Sequence, residues 1–133
     1  MRSETRSDSR LFRELMRALL QDGFSVRFRA HGRSMFPAIG DTETLQIEPA
    51  PRPPRGGEVV MVDSSEGIRV HRVLHSSIAG AQTRGDCCFE PDGAASEVVG
   101  DVFVVEGETK RPISRLRAGV RVRRWLAQWR GHF

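Results

Sequence analysis

The chain has 133 residues, with 21 basic and 17 acidic side chains, a net charge of +4 and two cysteines. That length suits one domain able to bury roughly two-thirds of its unfolded surface, which removes the need for a disulfide or metal scaffold. A transmembrane helix needs about 20 consecutive apolar residues; the apolar runs here are far shorter, so no helical span is expected.

The first predicted element is an amphipathic helix within residues 1–24. Leu11, Phe12, Leu15, Met16, Leu19 and Leu20 recur at helical spacing, with Ser7 to Ser9 as the expected cap and Gly23 as the stop. Two period-two stretches follow at 25–30 and 44–48, read as strands. The segment between them holds His31-Gly32-Arg33-Ser34-Met35-Phe36-Pro37 and Gly40-Asp41. The proline- and glycine-rich segment 49–57 is a loop, because proline cannot donate to a sheet ladder. Strands are then expected at 58–62 and 68–74, joined by the turn-like Asp63-Ser64-Ser65-Glu66-Gly67. On the second, alternation puts Ile68, Val70, Arg72 and Leu74 on one face and Arg69, His71 and Val73 on the other. Thr83-Arg84-Gly85-Asp86-Cys87-Cys88-Phe89-Glu90-Pro91-Asp92-Gly93 reads as a turn-rich acidic segment, and 98–105 as the last strand. Lys110-Arg111-Pro112 reads as a loop.

Ser34 and His71 are the residues with chemistry. A neutral serine hydroxyl is a poor nucleophile and needs a base within about 2.6–3.2 Å. Imidazole, titrating near ~6.5 in model compounds, is largely neutral at cytoplasmic pH and fit for that task. A Ser/Lys pair is not expected, since Lys110 is the only lysine. A carboxylate that accepts the second imidazole N–H fixes the tautomer and stabilises the imidazolium, and Asp86 and Asp92 are the candidates. Both aspartates also suit turns, where their side chains bond local backbone. Cys87 and Cys88 are adjacent with no second Cys/His pair at finger-like spacing, so no metal is expected.

Taken in order, Gly32-Arg33-Ser34-Met35-Phe36-Pro37, Gly40-Asp41, His71-Arg72-Val73, Thr83-Arg84-Gly85-Asp86 and Asp92 resemble the type I signal peptidases. The likeness is to the Ser/His branch known from archaea and the endoplasmic reticulum, and it spans residues 28–105. It places the chain beside the self-cleaving repressor peptidases of the same clan. The resemblance implies a mainly β fold, a coiled antiparallel sheet or small barrel at 25–108, with an amino-terminal helix and a basic carboxy-terminal helix. It implies a serine endopeptidase working through an acyl-enzyme without cofactor. Ser34 is then nucleophile, His71 general base and Asp92, ahead of Asp86, the orienting carboxylate. Substrate and oxyanion contacts are expected around Ser34, from Gly32, Arg33 and Met35.

Three features depart from the family pattern. Gly32 stands where many bacterial relatives place a hydroxyl that helps bind the oxyanion, so backbone N–H groups must serve, Ser34 N–H first. Gly57-Glu58 replaces the usual Gly-Asp. The membrane anchor is missing, and the polar residues 1–10 lack the apolar core of a secretory signal. A cytoplasmic enzyme, peripheral to the inner membrane, is therefore expected, acting on a leader or precursor peptide. The segment 109–133 is a basic, aromatic tail in which Arg121, Arg123, Arg124, Trp125 and Trp129 suit weak contact with a membrane surface or packing on the sheet. Nucleic acid is not an expected partner, because no helix-turn-helix or stacking-strand motif accompanies the charge. Two alternatives stand beside the peptidase: a peptide- or membrane-binding module that lost turnover, and a self-cleaving regulator. For the latter the Ala79-Gly80 bond lies inside the domain instead of in a linker.

Overall fold

The computed structural model of the chain describes residues 2–50, 52–64 and 67–113. One helix, α1 (Arg2–Gln21), precedes seven strands: β1 (Val26–Arg29), β2 (Thr44–Glu48), β3 (Val59–Ser64), β4 (Gly67–Ser77), β5 (Gly80–Arg84), β6 (Glu97–Glu106) and β7 (Thr109–Pro112). All pair antiparallel in a single sheet of order β1-β2-β6-β3-β4-β5, with β7 on β6. The expectation of a mainly β domain holds, as an open sheet and not a closed barrel. Its end strands β1 and β5 are not paired with each other. The sheet curls only far enough for Ala81 to bridge Ser96 just before β6. β1 is four residues long and points Arg27 and Arg29 outward, the charged, short form that resists further pairing.

Alternation along β3 explains the two-sided core. Val59 and Met61 enter a larger cluster with Met16, Leu20, Leu45, Ile47, Val102 and Val104, while Val60 and Val62 meet Val73 and Ala81 on the opposite face. A strand buried on both faces reads as a continuous apolar run, as 59–62 does. In β4, Ile68 and Val70 pack on the larger cluster and Val73 on the smaller, as alternation predicts.

The helix starts at Arg2, so the Ser7 to Ser9 cap is not its beginning. The arginines and Glu4 ahead of these serines are good helix formers and continue the turn pattern. Its end is as expected: Gly23 takes a left-handed φ of 88°, and Phe24 N–H reaches back to the Leu19 carbonyl at 2.9 Å. Met16 and Leu20 anchor the helix in the core, and Arg13 and Arg17 both grip Asp63, at 2.8 and 2.7 Å.

Two strands escaped the sequence reading. Thr83 and Arg84 lie in β5, ahead of the turn they were expected to form. Residues 109–112, expected to open the tail, pair with β6 as β7, whose four residues are all exposed and so show no apolar alternation. Pro112 is tolerated because, among the described residues, β7 pairs with β6 alone and so is an edge strand. Residues 114–133, with Arg121, Arg123, Arg124, Trp125 and Trp129, lie outside the described residues. Among those described, no helix is long and apolar enough to cross a membrane.

Candidate active site

Ser34 sits on the connection between β1 and β2. The neck of this loop is closed by Ala30 N–H to the Glu43 carbonyl and Thr42 N–H to the Ala30 carbonyl, at 2.8 and 2.9 Å. Gly32 adopts φ 96°, where a side chain would be strained, and its N–H donates to Asp41 Oδ1 at 3.1 Å. Just beyond Ser34, Met35 and Ile39 are buried in the larger core and joined by a backbone hydrogen bond of 2.9 Å. Pinned at both ends, the loop leaves Ser34 exposed.

His71 reaches this serine from β4, where it stands opposite Val60. The ring is almost wholly buried, with Nε2 3.1 Å from Ser34 Oγ. Its Nδ1 is hydrogen-bonded to Asp92 Oδ2. A carboxylate accepts and does not donate, so the neutral ring with its proton on Nδ1 is the tautomer that satisfies both contacts, with the Nε2 lone pair toward the serine hydroxyl.

Asp92 arrives on the irregular segment between β5 and β6, and β5 holds that segment. Asp92 N–H donates to the Thr83 carbonyl at 2.8 Å, and Gln82 Nε2 donates to the carbonyls of Asp92 and Gly93 at 3.0 and 2.8 Å. The carboxylate itself receives Thr83 Oγ1 on Oδ2 at 2.8 Å and Arg69 Nη1 on Oδ1 at 3.3 Å.

Asp86, the other candidate partner of His71, has a different position. It is fully buried against Arg72, which donates Nε to Oδ1 at 2.8 Å and Nη2 to Oδ2 at 2.7 Å. Arg72 also donates Nη1 to the Gly57 carbonyl at 2.8 Å. Arg72 points to the face opposite His71 by strand alternation, so a carboxylate that serves it is not available to the ring. Of the two candidate carboxylates, the structure brings Asp92 to His71 and Asp86 to Arg72.

The turn after β5 brings nucleophile loop and base together. Cys87 N–H donates to the Ser34 carbonyl at 2.8 Å, and Asp86 N–H meets Met35 Sδ at 3.4 Å. A Cβ added to Gly85 would lie 2.6 Å from the Ser34 carbonyl oxygen, 2.9 Å from Cys88 Sγ and 3.2 Å from His71 Nε2. Glycine is what lets these three groups converge.

The oxyanion expectations divide. Gly32 N–H is committed to Asp41 and is not free for a substrate oxygen. The Arg33 carbonyl accepts Phe36 N–H, closing the turn, and the exposed Arg33 side chain flanks the serine. Met35 spends its side chain on the core. The N–H groups of Ser34 and Met35 have no acceptor among the described residues. Lys110 is remote in role: it pairs with Glu48 and lies 4.6 Å from the Phe103 ring centroid. Burial pushes the Cys87 thiol up from its ordinary value, and among the described residues no His, Cys, Asp and Glu side chains gather into a metal-binding group.

The sequence assigns no role to Arg69 or Gln82, and carries Thr83 and Gly85 only as members of the Thr83-Arg84-Gly85-Asp86 box. Arg69 was the most accessible of them, since it shares a strand face with His71 two residues away. Comparison with models of protein families, with curated proteins and with solved structures finds no match to this chain.

Proposed function

We propose that the chain is a serine endopeptidase of the signal peptidase type, in which Ser34 attacks, His71 moves the proton and Asp92 orients His71. The observation that carries this reading is the 3.1 Å approach of Ser34 Oγ to a histidine nitrogen whose other nitrogen is bonded to a carboxylate. As Ser34 Oγ adds to the scissile carbonyl carbon, its proton passes to His71 Nε2. Asp92 stabilises the imidazolium so formed. The negative charge on the carbonyl oxygen falls to the N–H groups of Ser34 and Met35. His71 then gives the proton to the leaving amine, which departs and leaves an ester on Ser34. Water, deprotonated by His71, hydrolyses that ester and restores the site.

The substrate this reading favours is an accessible leader or precursor peptide, bound at the exposed Ser34 loop by a cytoplasmic enzyme. Purified full-length chain is expected to cut members of a peptide library, and Ser34→Ala to cut none. A wild-type chain that leaves every peptide intact would remove the reading. A second reading, a peptide-binding module without turnover, is favoured by the commitment of Gly32 N–H to Asp41, which takes one donor from the oxyanion site. It predicts equal peptide affinity in wild type and Ser34→Ala with hydrolysis in neither.

A further inference from the structure

We infer that Thr83 is a positioning residue for the proposed reaction, acting through Asp92; the inference rests on the peptidase reading above. Asp92 lies on a segment without regular structure whose backbone is tied to β5, and the direction of its carboxylate is set by what the side chain itself meets. Thr83 supplies that from a strand. It is 1% exposed, and it holds Asp92 twice: its carbonyl accepts Asp92 N–H at 2.8 Å, and its hydroxyl donates to Oδ2 at 2.8 Å. Oδ2 is also the oxygen that faces His71 Nδ1. Arg69 takes the other oxygen, Oδ1, from the strand that bears His71. The two donors come from neighbouring strands, β5 and β4, and block rotation of the carboxylate from both sides. A carboxylate released to rotate would present Oδ2 to the ring only part of the time, and His71 would lose its fixed tautomer for that fraction.

The backbone bond and the hydroxyl bond separate cleanly by substitution. Thr83→Val keeps the shape and the carbonyl but deletes the hydroxyl; Thr83→Ser keeps the hydroxyl. In the full-length chain, Thr83→Val is expected to lower kcat about ten- to a hundredfold, the range for a hydrogen bond to a charged group, with KM unchanged. Thr83→Ser is expected to restore most of the rate. In an Asp92→Ala background Thr83→Val should have no further effect on kcat, which a purely structural role would not give. The low-field proton resonance of His71 Nδ1–H reads the same hold without substrate, and is expected to persist in wild type and Thr83→Ser and to broaden or vanish in Thr83→Val. Thr83→Ala serves the same comparison should Thr83→Val not fold. Wild-type kcat and an unchanged resonance in the hydroxyl-free variants would overturn the inference. A wild-type chain that shows the resonance but cuts nothing would fail the peptidase reading alone.

Discussion

Arg72 and Asp86 meet through two parallel hydrogen bonds in a site that shuts out water from both. Arg72 follows His71 in the chain, and Asp86 N–H touches the sulfur of Met35, which follows Ser34. The immediate neighbours of the proposed base and nucleophile are therefore fastened to one residue. The pair works behind the site, holding its two halves at a fixed separation.

Removing one partner of a buried pair leaves an unpaired charge, a loss of about 3–5 kcal/mol. Asp86→Ala is expected to destabilise the chain by that amount in urea denaturation. The double variant Asp86→Leu with Arg72→Met, which removes both charges, should recover most of the loss.

Gly85→Ala tests the convergence of Ser34, Cys88 and His71. The new Cβ would press on the Ser34 carbonyl oxygen at 2.6 Å, a backbone atom that cannot turn aside. Displacing reacting groups by about 1 Å costs on the order of 10²-fold in rate. The variant is expected to lose at least that much kcat while far-ultraviolet circular dichroism remains β-type.

Asp101 gives a pH prediction away from the site. Burial, reinforced by Glu58 and Glu48 and opposed by Arg52, raises its carboxyl above the ordinary value. A raised carboxyl in the folded state means that the ionised form weakens the fold at neutral pH, and the penalty fades as pH falls through the raised value. Asp101→Asn should therefore raise the thermal midpoint at pH 7, with an advantage that shrinks as the solution is acidified.

Glu48 carries the opposite sign. Its hydrogen bond to Lys110, with a further one from Gln46, lowers its carboxyl below the ordinary value. The stability it contributes is present above the unfolded value and is lost as pH falls through the depressed one. Lys110→Met should cost less than about 1 kcal/mol at pH 7, since the pair is partly exposed. That difference should close in acid, as followed by melts across pH.

Much of the sheet was legible because alternation and apolar runs are local. The strands at β1, β2, β3, β4 and β6 fall where the pattern puts them, but β4 is covered on both faces: Ile68 and Val70 are only half-buried against the larger cluster, while His71 and Val73 on the other face are buried. β7 was not legible, because a fully exposed strand of Thr, Lys, Arg and Pro owes its place to the partner β6 and has no pattern of its own. At the site, alternation put His71 on the same face as Arg69, and the two period-two stretches on either side placed Ser34 in a connection between strands. The division of labour between Asp86 and Asp92 was not written in either residue's neighbours. It depends on which face of β4 each meets, so Arg72 claims one and His71 the other. Thr83 looked like part of a turn, and only the path of the chain after β5 brings its hydroxyl under Asp92.

The most direct test of the central claim is the intact mass of the full-length chain after exposure to a fluorophosphonate, which phosphonylates an activated serine with loss of fluoride. The account predicts one adduct, mapped to Ser34, absent in Ser34→Ala and slowed at least a hundredfold in His71→Ala. An unmodified wild-type chain, or labelling of Ser34 that proceeds equally fast without His71, would contradict it.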